Sequence, residues 1–482
     1  MFGNETICAV ATGMGRSAIG IVRVSGPEAI SICDSIFEGK KKISEMESFT
    51  AAFGTIVDRS ESKASSEGEA AIDEAIVLVM KAPHTYTTED TVEIDVHGGP
   101  FVIKKVLELL VKLGARIAEP GEFTKRAFLG GRIDMTEAEA VMDVISAETD
   151  RALSTSISQL TGMLRGEILG LRERILYQTA YIESALDDPE NYSLDGFSEK
   201  LMVEVTDIRA RIDKLLSTAE EGRVIREGIS TAIVGRPNVG KSSMLNRLLG
   251  EERAIVTEVE GTTRDTLEEY IDIGGILLKL IDTAGIHTTE DIVERIGVDK
   301  ARQSIESADL VLMLLDGADE LTEEDRTICS FMNSKRVIVL INKVDKLESG
   351  ADGDTAGLTN IDEDELSKHL TEAGTTDWKI IHVSAKTGQG IDELKELIRD
   401  MFFKNELDYN DQIYITRERH KALLLSAEES LQRVEQSISD GAPEDFMTID
   451  LMAAYETLGE IIGETLEDDL ADKIFSEFCM GK

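Results

Sequence analysis

Apolar positions in the first quarter of the chain follow two different rhythms. Thr6 to Val10, Ala18 to Val24 and Ala75 to Met80 are short apolar runs of strand length, while Pro27 to Phe37 and Phe101 to Leu113 repeat at helical spacing. The mixture predicts an α/β region over residues 1–130. Asp58 to Glu69 is a Ser/Glu/Gly run that predicts a solvated loop, and His97-Gly98-Gly99-Pro100 predicts a tight turn ahead of a helix. His97 reads first as a turn residue and only second as a catalytic one. From Thr136 the pattern lengthens into helices. Ala138, Val141, Val144 and Ile145 share one face, a further helix runs through Leu160 to Ala185, and Asp187-Asp188-Pro189-Glu190-Asn191 interrupts it. Leu201, Val205, Ile208, Ile212, Leu215 and Ala219 then recur at alternating steps of four and three, an amphipathic stripe. Short apolar strands return between 227 and 402, after which Leu424, Ala427, Leu431, Val434 and Ile438 form one helical stripe and Leu451, Tyr455, Leu458 and Ile462 another. The expected organisation is an α/β domain (1–130), helices (131–226), a second α/β domain (227–402) and helices again (403–482). Helices on both sides suggest one helical domain with the second α/β domain inserted into it.

Length and composition allow this. A chain of 482 residues has room for about three domains. With 42% apolar but only 5% aromatic residues, the core is mostly aliphatic. Charge complicates the picture: 51 basic against 93 acidic residues give a formal net charge of −42. Nucleic-acid binders are ordinarily basic, so the bulk charge argues against broad electrostatic binding at low salt. Two explanations stand side by side: an acidic proteome, or a host with high internal salt, where the screening length at ~1 M is only about 3 Å. Cys8, Cys33, Cys329 and Cys479 form no C-x-x-C pair, which fits a reducing cytosol and leaves no familiar zinc site. There is no basic-then-apolar leader and no apolar run of the ~18 residues that a membrane span needs. The expectation is a soluble, cytoplasmic protein.

The chemistry is concentrated between 227 and 402. The run Ile229 to Val234 leads into Gly235-Arg236-Pro237-Asn238-Val239-Gly240-Lys241-Ser242, and a helical stretch starts at Ser243. Strand, glycine-bounded loop and helix is the context of a phosphate cradle. Gly235 and Gly240 let the backbone turn its N–H groups inward, Lys241 serves the β- and γ-phosphates, and Ser242 offers a hydroxyl to Mg²⁺. Downstream, Thr262-Thr263-Arg264-Asp265 is a candidate switch in which Thr263 can complete the Mg²⁺ shell. A strand then ends in Asp282-Thr283-Ala284-Gly285. Another ends in Asn342-Lys343-Val344-Asp345, whose carboxylate can accept from guanine N1–H and the 2-amino group; adenine offers neither donor. Ser384-Ala385-Lys386 closes the series, a loop whose backbone usually contacts the guanine oxygen. Five such loops in this order predict a GTP-binding domain of Ras-like P-loop fold, with a doubly wound, mainly parallel sheet. The position that carries a water-orienting glutamine in Ras-like switches is Ile286, so another polar group must orient the water; Glu290, Asp291 and Glu294 follow. Asn238 reads either as a loop residue or as a ligand for a monovalent cation placed where an arginine finger would reach.

The P-loop, the segment Thr257-Glu258-Val259-Glu260-Gly261-Thr262-Thr263-Arg264-Asp265 and Asp282-Thr283-Ala284-Gly285-Ile286 resemble those of the MnmE (TrmE) family of tRNA modification GTPases. Pro120-Gly121-Glu122-Phe123-Thr124-Lys125-Arg126-Ala127-Phe128-Leu129 and the terminal Phe478-Cys479-Met480-Gly481-Lys482 extend the resemblance to essentially the whole chain. The resemblance implies a homodimer, joined through the N-terminal domain, whose G domains meet when GTP and K⁺ are bound. It implies work with a partner, MnmG (GidA), that uses FAD and NADH, to build an aminomethyl or carboxymethylaminomethyl group at carbon 5 of the wobble uridine of tRNA. The one-carbon unit would come from a tetrahydrofolate, in its 5,10-methylene or 5-formyl form. Matching motif positions imply folate contacts at Arg23, Glu93, Arg132 and Lys482. They imply K⁺ ligands at Asn238, Thr257, Val259 and Thr262, and GTP contacts over Asn238 to Ser243 as well as the loops above. Glu294 matches the water-orienting glutamate, a choice over Glu290 that only the resemblance makes. Cys479 carries two readings, a catalytic or redox thiol or a residue packed beside the folate pocket. The chain departs from the family at His287, commonly arginine, at Asp188, often aromatic, and at Arg132, where lysine also occurs.

The rival function is a GTP-driven RNA-binding or ribosome-assembly switch that modifies nothing. Against it stand the single P-loop and an acidic, helical tail in place of a small basic RNA-binding domain.

Overall fold

In the computed structural model the N-terminal apolar runs pair as strands: Ile7–Val10 (β1) lies antiparallel to Ile19–Ser25 (β2). The structure describes residues 5–13, 15–59, 70–251, 254–255, 269–281, 294–346, 359–375, 377–403, 412–464, 468–476, 478 and 481. They fall into two compact units.

The first unit comprises Met1–Met142, Gln159–Asp195 and Gln436–Lys482. With Phe37–Gly39 (β3), Thr50–Asp58 (β4), Ala70–Met80 (β5), Thr91–His97 (β6) and Arg116–Ile117 (β7), it builds a seven-stranded sheet of order β3-β4-β5-β6-β2-β1-β7. All pairings are antiparallel except β1 with β7. Alternation sets the faces. On β6, Val92, Ile94 and Val96 point into an aliphatic core with helices Ala29–Ile36 and Pro100–Lys112, which leaves Glu93 and Asp95 on the opposite face. Gly99 caps and Pro100 opens the second of these helices, where a missing N–H costs nothing. The helix predicted through Leu160 to Ala185 is Met163–Asp187, starting three residues later than expected because Gly162 turns the chain at φ 82°. Met163–Asp187 packs on Glu444–Ile462. Arg172, 5% exposed, donates to the Tyr455 carbonyl there and pairs with Glu464 at 2.6 Å.

The second unit comprises Asp143–Ser158 and Gly196–Glu435. Its strands are Ile229–Val234 (β8), Ala254–Ile255 (β9), Glu269–Ile273 (β10), Ile276–Leu280 (β11), Leu310–Asp316 (β12), Arg336–Asn342 (β13) and Asp377–His382 (β14). They form a sheet of order β14-β13-β12-β8-β11-β10-β9, parallel from β14 to β11 and antiparallel beyond. Strands buried on both faces read as continuous apolar runs, and β12 and β13 do so, with cores on either side. The predicted doubly wound, mainly parallel sheet is therefore present, and β8, which carries the P-loop, lies inside it. The amphipathic stripe forms the helix Phe197–Ser217; Ala219, its expected last member, opens the next helix, Ala219–Glu227.

Candidate functional site

The phosphate loop follows the C-terminal end of β8, where a parallel sheet gathers its loops. Gly235 and Gly240 have φ of 146° and 107°, open to glycine and rarely to other residues. A Cβ on Gly235 would lie 2.4 Å from the Leu314 carbonyl oxygen, and one on Gly240 would lie 2.3 Å from Asn342 Nδ2. The loop is thus pressed against β12 and β13. The helix Lys241–Glu251 starts directly behind it, so its N-terminal N–H groups face the loop. Lys241 Nζ donates to the carbonyls of Gly235 (2.6 Å) and Arg236 (2.7 Å). Burial pushes its ammonium below the ordinary lysine value, with Glu324 acting in the opposite sense. A desolvated cation held by neutral carbonyls is stabilised by an anion, and a phosphate fits that need. Ser242 and Ser243 are exposed at the same helix start.

The base end is built from two loops joined by one amide. Asn342, 2% exposed, donates from Nδ2 to the Val239 carbonyl (2.8 Å), and its Oδ1 accepts from the Ala385 N–H (3.0 Å). Lys343 sits at φ 69°, and its Nζ donates to the Asn238 carbonyl and to Asp316 Oδ2, both at 2.6 Å. Burial works to raise Asp316; hydrogen bonds from Lys343 and the Ala318 N–H outweigh it and hold the carboxyl below its usual range. The exposed Asp345 accepts from the buried Ser384 hydroxyl (2.7 Å), which fixes the direction of a carboxylate otherwise free to turn. Lys386 is exposed beside it. Asn238, Val239, Gly240, Lys241, Asn342, Lys343, Asp345, Ser384 and Ala385 are thereby brought together. Thr257, Val259, Thr262, Thr263, Asp282, Thr283, Ala284 and Gly285 lie outside the described residues. Glu294 opens the helix Glu294–Ser307, and its side chain is likewise outside them.

A second constellation occupies the first unit. Arg23 on β2 faces its register partner Glu93 on β6, with Nε and Nη2 each 2.8 Å from Oε1. Arg23 Nη1 donates to the Gly481 carbonyl at 3.2 Å, which brings the chain's tail to this pair. The Arg23 guanidinium lies 5.8 Å from the Tyr86 ring centre and 5.6 Å from that of Phe123. Arg132 stacks on the same Tyr86 ring at 4.8 Å and donates to the Tyr86 carbonyl. A cavity of about 610 Å³ opens there, lined by Tyr86, Arg132, Phe49, Met80, His84 and Thr88. Two guanidiniums, one carboxylate and an aromatic hub can recognise a flat, hydrogen-bonding ring system that carries an anionic tail. Cys479 and Lys482 lie outside the described residues. Sequence reasoning missed Tyr86 and Asp316. The first was visible as a lone aromatic in a polar loop, the second as a carboxylate ending a buried apolar run. His97 is the exposed last residue of β6, leading into the Gly98-Gly99 turn, with its Nδ1 2.8 Å from Asp73 Oδ1.

The model described as MnmE helical domain matches residues 135–479, and that described as GTP-binding protein TrmE N-terminus matches residues 6–132. The tRNA modification GTPase MnmE of Lachnoclostridium phytofermentans is 49% identical over 482 residues, covering 99% of this chain and 100% of that protein. The proteins of the same name from Staphylococcus aureus and Staphylococcus epidermidis are 45% identical over 479 residues, covering 99% of both chains. No helix among the described residues is long and apolar enough to cross a membrane. Similar to these proteins from one end to the other, and not only through its nucleotide-binding loops, the chain belongs to the MnmE family.

Proposed function

We propose that the chain is a GTP-hydrolysing enzyme of tRNA modification, acting in the cytoplasm on the wobble uridine. The observation that carries the GTPase half is the Asn342 amide, which joins the P-loop to the Ser384-Ala385-Lys386 loop with Asp345 aimed alongside. In this reading Lys241 and the N–H groups from Asn238 to Ser243 hold the phosphates, with Thr257, Thr262, Thr263 and Asp282 to Gly285 completing the pocket. Asp345 and the loop Ser384 to Lys386 hold the guanine. Ser242 and Thr263 would hold Mg²⁺, and Asn238, Thr257, Val259 and Thr262 would hold K⁺; both cations supply positive charge where negative charge builds between the β- and γ-phosphates. Glu294 orients the attacking water.

For the modification half, Arg23, Glu93, Arg132 and Lys482 bind a tetrahydrofolate, which supplies the one-carbon unit. The charge pattern around Tyr86 supports this, since cations suit a glutamate tail and a carboxylate suits a pterin's N–H donors. The chain works as a homodimer with the FAD-dependent MnmG. Residues 1–130 bind folate and dimerise, and the G domain (227–402) is inserted between helical parts 131–226 and 403–482. Cys479 is either a reacting thiol or a packing residue, and full modification by a Cys479→Ser variant would dispose of the first.

The test is GTP hydrolysis by the purified chain in KCl against NaCl at equal ionic strength, followed by tRNA nucleoside analysis with MnmG present. We expect K⁺ to accelerate hydrolysis, Asn238→Ala to abolish that acceleration, and Glu294→Ala to bind GTP without cleaving it. Losing an aligned catalytic group of this kind costs about 10²-fold or more. Equal rates in both salts would refute the K⁺ assignment. Hydrolysis with unmodified uridine would favour the switch.

A further inference from the structure

Arg247 has no part in the site as derived so far, yet it touches that site's most specific loop. It lies six residues into the helix Lys241–Glu251, about 9 Å along the axis from the phosphate end. Its Nε donates to the Ala385 carbonyl at 3.1 Å and its Nη2 donates to the Lys386 carbonyl. One rigid fork thus grips two successive carbonyls of the Ser384-Ala385-Lys386 loop.

Peptide planarity turns that grip into an aiming device. The Ala385 C=O and the Lys386 N–H belong to one planar unit and point in opposite directions. Holding the carbonyl toward Arg247 therefore directs the Lys386 N–H away from it. The loop's other bonds lie around Ser384: its N–H donates to the Gln389 carbonyl, its carbonyl accepts from the Gly388 N–H, and its hydroxyl accepts from the Thr387 N–H, so none of them sets the Ala385–Lys386 peptide. Lys386 is exposed, and Ala385 to Thr387 form a turn outside any regular element. The Ala385 N–H is engaged by Asn342 Oδ1, which ties that end of the loop to β13. Arg247 ties the other end to the phosphate-binding helix.

We propose that Arg247 is a positioning residue for guanine recognition, fixing the Lys386 peptide so that its N–H meets the six-position oxygen of the base. The inference rests on the guanine-nucleotide reading of this unit. Asp345 reads the opposite edge of the base and takes its orientation from the Ser384 hydroxyl, whereas Arg247 holds the carbonyls of Ala385 and Lys386. Arg247 and Asp345 therefore govern separable parts of the specificity.

The experiment measures binding of GDP, 6-thio-GDP and IDP to the full chain and to its Arg247→Ala and Arg247→Lys variants, by calorimetry. Sulfur at position six weakens only the acceptor that the loop reads; loss of the 2-amino group in IDP weakens only the Asp345 contact. The wild-type chain should prefer GDP to both analogues. Arg247→Ala should weaken GDP by about tenfold, a loss of the size of one charge-assisted hydrogen bond. Its preference for GDP over 6-thio-GDP should collapse, while its preference for GDP over IDP stays. Arg247→Lys keeps the stem and the charge without the fork, so it should fall between the two, and it serves as the test if the alanine variant does not fold. An unchanged ratio of GDP to 6-thio-GDP, or an equal loss for all three nucleotides, overturns the inference and makes Arg247 a packing residue. A wild-type chain that binds ADP as well as GDP overturns the guanine reading itself.

Discussion

At the scale of single residues, Glu122 shows how much of a motif can be structural. Its side chain is 2% exposed and accepts from Arg116 at 2.6 and 3.0 Å, from Arg126 at 2.9 Å and from the Glu119 N–H at 2.9 Å. Burial pulls its carboxyl upward; the bonds from Arg116, Glu119 and Arg126 outweigh it and hold the group below the usual glutamate range. The native state then binds fewer protons than the unfolded chain. The stabilisation is complete above the unfolded value, about 4.3, and drains away as pH falls through and below it. Glu122→Gln should cost about 1–3 kcal/mol at neutral pH, because buried Arg126 and half-buried Arg116 lose a charged acceptor while keeping Glu89 and Glu5, and should flatten the loss of stability on acidification. Urea unfolding of both proteins at neutral and acid pH checks this; parallel losses would refute it. The sequence displays Glu122 and Arg126 four apart on a helix, but burial of both is not legible there. The same limit applies to Arg23, Glu93 and Arg132, which single out no common partner until Tyr86 is seen between the two arginines.

At the scale of elements, periodicity succeeded where apolar contact decides burial and failed where charge does. Leu201, Val205, Ile208, Ile212 and Leu215 are all buried in the helix Phe197–Ser217, while Arg209 on another face pairs with Glu428 and Glu435 of the helix Glu418–Ser439. Ile208→Ala should lower unfolding stability by about 2–5 kcal/mol, the transfer and cavity cost of such a truncation, and leave GDP affinity unchanged. Denaturation paired with nucleotide titration would show it, and a parallel loss of affinity would count against it. The helix Met135–Ile145 went otherwise. Of the expected face only Ala138 is buried; Ile145 is 45% exposed, while Asp143 is 7% exposed and accepts from Arg226 and Arg417. A count of apolar positions cannot see that two guanidiniums compensate the burial of a carboxylate. The strands Thr50–Asp58 and Thr91–His97 also escaped the reading, the first because Ala51, Ala52 and Gly54 dilute its alternation.

At the scale of the whole molecule, the net charge of −42 sets solution behaviour rather than fold. Self-repulsion is screened over ~10 Å at about 0.1 M salt and over ~3 Å at about 1 M. We expect the melting temperature of the nucleotide-free chain to rise between those salt concentrations, in NaCl as well as KCl, as measured by calorimetry. No rise in either salt would remove the argument for adaptation to a saline host. A rise in KCl alone would instead mark a specific cation.

The sequence by itself showed β8, β11 and β13 as apolar strand runs, located the phosphate loop, and pointed to guanine as the base. These properties reside in runs of adjacent residues: a β-strand's period, a glycine-bounded turn, a carboxylate two positions after a lysine. Only the tertiary structure decided what meets across long separations. It joined Val239 to Ala385 through Asn342, set Arg247 against Lys386, and gathered Arg23, Glu93, Tyr86, Arg132 and Gly481 at one place. Hydrogen bonds and stacking depend on distances of a few ångströms, and sequence separation does not encode those distances until the sheets have closed.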